Sequence, residues 1–251
     1  MTTVCLIGNS HVANLKKALP GVAPGFPGIE TVFFASEGVS MELDIVDGKL
    51  GARVQHVRDR MAMTSGTDGD IAPVYDAYVA CGLTLSSMRA IRAFQHTLKE
   101  LPKAERGKVF ETDEVARIMA PAIRTSLAID IAAKLHAIGA APVFVIATPL
   151  TAYERHAELW AGWEKRQRVE LLEAAYTLAC HRAAEAQGAV FVPQPPQTIG
   201  PNALTTRPEF YLTSPDEVKV EAAHHAHMNA AFGAIVLRDV LERIVAALRA
   251  N

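Results

Sequence analysis

Cysteine is scarce: Cys5, Cys81 and Cys180 are an odd number, and no spacing among them matches a metal-ligand pattern. That excludes a disulfide scaffold or zinc-binding motif and reads as free thiols in a reducing compartment, so a cytoplasmic location is expected. A surplus of one charge is also missing. The chain has 25 Lys and Arg against 27 Asp and Glu, for a net charge of -2, which offers no field for nucleic acid or an anionic membrane. No apolar run is long enough to span a bilayer. Met1-Thr2-Thr3 leads straight into an apolar run without the basic segment and cleavage site of a signal peptide. Neither Gly-x-Gly-x-x-Gly nor a phosphate-loop Gly-Lys-Ser/Thr occurs, so nucleotide binding has no support and no cofactor is expected.

Apolar content is plentiful. Half of the 251 residues are hydrophobic, enough for one large core, and a single domain over residues 1–251 is the simplest organisation. Five runs read as buried strands: Val4 to Ile7, Thr31 to Ala35, Ala77 to Cys81, Pro142 to Ala147 and Ala189 to Val192. Each is nearly continuous in apolar character, as in strands covered on both faces. Helical patterns lie between them. His11 to Leu19 is short. Leu43 to Met63 is charged and ambiguous as a helix, whereas Ser86 to Leu101 is clear. Thr112 to Ile138 carries Pro121, expected to end or kink its first part, and Gly139 fits its stop. Glu164 to Gln187 aligns Val169, Leu172, Tyr176, Ala179 and Ala183 on one face. A last helix from Ala230 to Arg249 points Val236, Val240, Ile244 and Leu248 inward.

Alternating strands and helices predict an α/β domain with a mainly parallel sheet and right-handed crossovers. Two irregular segments interrupt the alternation. One is Thr64 to Pro73, rich in Gly and Asp. The other is Pro193 to Pro215, with prolines at 193, 195, 196, 201, 208 and 215. Loops as long as the second often border a site, and a wall or lid over a pocket is expected there.

Ligands of open parallel sheets bind beyond the carboxyl ends of the strands. Those ends lead into Gly8-Asn9-Ser10-His11, Ser36-Glu37-Gly38, Gly82-Leu83-Thr84, Thr148-Pro149-Leu150, and the long loop running to His227-Met228-Asn229. Taken alone, Ser10 reads as the N-cap of the first helix. Taken alone, His227 reads as a loop histidine before Asn229, itself a good N-cap, with Gly233 allowing close packing of the final helix on the sheet. His11 reads as surface-exposed. Cys81 reads as an inert buried thiol, and Trp160, Trp163 and Tyr153 read as core. His224, His225 and His227 lack supporting ligands at metal spacing, so no metal site is expected.

Together, Gly-Asn-Ser-His after the first strand and His227-Met228-Asn229 with Gly233 at the last helix resemble the SGNH hydrolases, also called GDSL esterases. The resemblance runs the length of the chain through order and spacing. It implies a three-layer α/β/α, flavodoxin-like fold with a five-stranded parallel sheet in the order 2-1-3-4-5. It also implies Ser10 as nucleophile, His227 as the base that takes its proton, and hydrolysis of carboxylic esters through an acyl-serine intermediate. Oxyanion donors would be the backbone N–H groups of Ser10 and Gly38. Gly82 matches the glycine of the family's third block. Thr84 stands where the family asparagine donates, and His224 stands where the family places the Asp that orients the histidine. The site is then a Ser10–His227 dyad, or Glu221 or Asp216 supplies the carboxylate. The expected partner is a small-molecule ester, such as acetyl on a carbohydrate or another polar alcohol. A degenerate glycan- or acyl-binding module and an O-acyltransferase are the alternatives.

Overall fold

Period-two alternation within each apolar strand divides its side chains between two cores, which is why the runs are almost unbroken in apolar character. In β1 (Thr2–Gly8), Val4 and Leu6 enter one core while Cys5 and Ile7 enter the other. The same division holds for β5 (Ala77–Cys81), β6 (Val143–Ile146) and β7 (Ala189–Val192). The computed structural model describes residues 1–36, 41–102, 109–165, 168–211 and 227–250. With β2 (Ile29–Ala35) these strands form one all-parallel sheet in the order β2-β1-β5-β6-β7. Counted among sheet strands alone this is 2-1-3-4-5, a three-layer α/β/α arrangement of the flavodoxin-like type.

One face carries α1 (Ser10–Val22) and α8 (Ala230–Ala250). The other is covered by α2 (Gln55–Ser65), α3 (Ser87–Glu100), α4 (Thr112–Arg124), α5 (Leu127–Ala137), α6 (Ala157–Glu164) and α7 (Val169–Glu185). Trp160 and Trp163 are buried in that second core, and Tyr153 packs against it. Among the described residues no helix is long and apolar enough to cross a membrane.

The register places Ala35, Gly8, Cys81, Ile146 and Val192 level with one another across the sheet. All five strands therefore end on one line. Order reverses between β1 and β5, and the segments leaving Gly8 and Cys81 border the crevice where such sheets bind ligands.

The helix expected across Leu43 to Met63 is corrected. Its first part is an antiparallel hairpin of β3 (Leu43–Val46) and β4 (Lys49–Ala52), and only α2 is helical. Asp47 and Gly48, with φ of 50° and 73° in the left-handed region, make the two-residue turn whose twist matches the right-handed twist of hairpin strands. Leu43 and Leu50 anchor it in the core.

Two helix boundaries also differ from expectation. α1 continues through Pro20 to Val22 rather than stopping at Leu19. Pro121 lies inside α4, which ends at Arg124, where Thr125 turns its hydroxyl back onto the Pro121 carbonyl at 3.0 Å. The chain restarts as α5 because the loop after β5 caps it. Thr84 Oγ1 accepts the Leu127 N–H at 3.0 Å, and the Leu83 carbonyl accepts that of Ala128 at 3.1 Å.

Gly233 does allow close packing, but against α1 rather than the sheet. A Cβ there would lie 2.3 Å from the Asn14 carbonyl oxygen.

Candidate active site

Gly8 is required where β1 turns into α1. A Cβ on it would fall 2.3 Å from Val12 Cγ2 and 2.6 Å from the Cys81 carbonyl oxygen. The helix starts immediately, and its N-cap is Asn9 rather than Ser10. Asn9 is extended, and its Oδ1 accepts the His11 N–H at 3.2 Å. Ser10 is thereby pushed one position into the helix, half-buried in the first turn. Its hydroxyl has no hydrogen-bond partner among the described residues. N–H groups of a first helical turn lack intrahelical acceptors, so this serine lies at the positive end of α1.

His11 is not the exposed residue expected. Its Nδ1 is buried without a hydrogen-bond partner. Its ring faces that of His227, with centroids 6.0 Å apart and planes inclined by 39°. Burial, reinforced by the neighbouring His227, pushes the His11 pKa down to about 4, so the ring is neutral near pH 7. From the sequence His11 is open to either a place on the pocket wall or the surface, because a histidine following a loop serine carries no pattern of burial; it lines the cavity.

His227 is held from its C-terminal side. Met228 forms an isolated antiparallel bridge with Tyr211. Asn229 donates its backbone N–H to the Phe210 carbonyl at 2.8 Å and its Nδ2 to the Glu209 carbonyl at 2.7 Å. Its Oδ1 accepts the Phe232 N–H at 3.0 Å, which makes Asn229 the N-cap of α8 as expected. The last helix and the proline-rich segment thus carry His227 together to the end of β1, more than two hundred residues from Ser10 in sequence.

No family model and no curated protein matches this chain.

The turn after β5 presses on the same spot. Gly82, at φ 77°, comes so near that a Cβ would sit 3.1 Å from His11 Cδ2 and 3.2 Å from Asn9 Oδ1. Leu83 and Thr84 follow at φ 48° and 64°, a conformation that a β-branched residue rarely adopts. Such backbone persists when surrounding bonds over-determine it, and here the cap on α5 supplies them. The Gly82 N–H donates to the Ile146 carbonyl at 2.9 Å. The Thr84 hydroxyl accepts from Leu127. The Gly82 donor is thus used within the turn, while the Thr84 hydroxyl holds the turn as an acceptor and keeps its own proton. Gly38 and His224, with Glu221, Asp216 and His225, lie outside the described residues.

From His11 a cavity of about 330 Å³ opens along the ends of β5, β6 and β7, walled by Cys81, Ile146, Phe191, Leu204 and Phe232. Pro193 to Ile199 forms part of its side, so the proline-rich segment is a wall. Hydrogen bonds fix this wall. Leu150 N–H donates to Gln194 Oε1 at 2.9 Å, Gln194 Nε2 to Thr206 Oγ1 at 2.9 Å, and Thr206 Oγ1 to the Leu150 carbonyl at 2.8 Å. Cys81 is a buried thiol whose pKa burial pushes up to about 12, which removes its thiolate reactivity. Among the described residues no group of three His, Cys, Asp or Glu could hold a metal ion.

Proposed function

We propose that this protein is a serine hydrolase of carboxylic esters of the SGNH type, with Ser10 as nucleophile and His227 as base. The observation that carries the reading is the approach of His227 to His11, the residue that follows Ser10, at the ligand-binding edge of the sheet. A serine in a first helical turn whose hydroxyl has no partner among the described residues, a histidine whose ring meets that of the following residue, His11, and a cavity that His11 lines make a set suited to acyl transfer.

His227 takes the Ser10 hydroxyl proton as Oγ bonds to the ester carbonyl carbon, and the oxyanion forms beside the helix N-terminus. The intermediate breaks its bond to the alkoxy oxygen, which leaves as the alcohol with the proton from His227. Water, deprotonated by the same ring, then attacks acyl-Ser10 and releases the carboxylic acid and free serine. Gly38 and His224 keep their proposed places, as oxyanion donor and as neighbour of the base.

A second reading, an acyl-binding protein without turnover, draws support from the engagement of Gly82 and Thr84 in the turn after β5. One experiment separates the two. The wild type should be labelled at Ser10 by a fluorophosphonate and should hydrolyse p-nitrophenyl acetate. Ser10→Ala and His227→Ala should each lose at least ~10³-fold in turnover. A wild type that is folded, unlabelled and inactive would sink the hydrolase reading. Faster transfer to an added alcohol than to water would mark an acyltransferase.

A further inference from the structure

We infer that the cavity beside His11 seats a medium-length saturated acyl chain, so that the esters accepted are those of fatty acids rather than of acetate. The inference rests on Ser10 being the nucleophile: His11, which lines the cavity, directly follows Ser10 in α1.

Size and lining agree. About 330 Å³ lies within the range of small-molecule pockets. It corresponds to roughly eleven water-sized volumes at ~30 Å³ each, room for a chain of roughly eight to ten carbons. Acetyl would leave most of that volume empty. Aliphatic and aromatic side chains supply the walls, Ile146, Leu204 and Phe232 among them.

Several polar groups of the lining are matched to protein partners, whereas the Tyr176 hydroxyl and His11 Nδ1 are buried without one. Glu173 accepts from the Thr177 hydroxyl at 3.1 Å, Arg243 pairs with Asp239 at 2.9 Å, and Gln194 is bound within the wall. The apolar walls favour the hydrocarbon tail of the acid inside the cavity, with the alcohol part of the ester outside.

The test is a series of p-nitrophenyl esters from acetate to dodecanoate with the full chain, alongside calorimetric binding of decanoate to wild type. Each methylene buried should raise kcat/KM by about fourfold until the cavity fills. The optimum should fall near octanoate or decanoate. Ala203→Phe, which places a ring in the cavity wall, should lower the octanoate-to-acetate ratio of kcat/KM by about tenfold and weaken decanoate binding, with thermal unfolding confirming the fold. Labelling and turnover at Ser10 with a flat or falling chain-length profile would overturn the inference and leave the hydrolase reading standing. Decanoate binding that Ala203→Phe weakens, without labelling of Ser10, would uphold the assignment of the cavity and overturn the hydrolase reading.

Discussion

His11 and His227 meet ring to ring at 6.0 Å over the end of β1, and one of the two is a buried, unpartnered imidazole. The pair joins the first loop of the chain to the last, and the consequences of that junction can be measured.

Acid should weaken the fold through His11. The unfolded chain binds a proton at this residue near pH 6.5, whereas the folded ring resists it until about pH 4. The stabilisation is therefore complete above pH 6.5 and is lost as the pH falls toward 4. Between about pH 7.5 and about pH 5 this single group should remove about 2 kcal/mol. Urea titrations at the two values should show a smaller loss in His11→Gln by that amount. An unchanged loss would place the acid sensitivity elsewhere.

Gly233→Ala should separate α8 from α1. The added methyl meets backbone at 2.3 Å and 2.7 Å, which no rotamer change relieves. A destabilisation of about 3 kcal/mol is expected. Because α8 begins three residues after His227, probe labelling of Ser10 should fall as well. Calorimetry and labelling on the same sample would check both effects.

Asn9 offers a test in two directions. Asn9→Ala removes the cap of α1 and should cost about 1 kcal/mol. Asn9→Asp keeps the acceptor and adds a negative charge at the N-terminus of a helix without acidic residues in its first turn, worth ~0.3–1 kcal/mol of stabilisation. Thermal unfolding temperatures should order Asp above Asn above Ala.

Thr84→Val should act on stability more than on chemistry. It removes the acceptor for Leu127 N–H at the start of α5, with a cost of about 1–2 kcal/mol. The hydroxyl accepts in that bond and keeps its own proton, so kcat separates the two roles: the expected change is within about tenfold of wild type, short of the ~10²–10³-fold loss of an oxyanion donor. A loss in that larger range at full folding would assign Thr84 to the oxyanion hole instead.

Much of this architecture is legible locally. β5 and β7 have the bounds their apolar runs suggest, and Val236, Val240 and Ile244 turn inward on α8 as their spacing requires. The hairpin turn at Asp47-Gly48 was legible too, since Asp-Gly between apolar residues is a strong hairpin signal. The charged pattern through Met63 masked it. The cap on α5 could not be read from its neighbours, because Thr84 lies 43 positions away from Leu127.

By itself the sequence determined the five strands of the parallel sheet, which faces of the helices are apolar, and that Ser10 follows the first strand while His227 precedes the last helix. These properties follow from periodicities of two and 3.6 within a few turns of chain. Only the tertiary structure decided that Asn9 takes the cap and moves Ser10 into the helix, that His11 is buried against His227, and that Cys81, Ile146, Leu204 and Phe232 enclose one cavity. Burial and proximity between distant residues depend on which strand ends are brought level by the sheet, and that register is a property of the whole fold rather than of any local stretch.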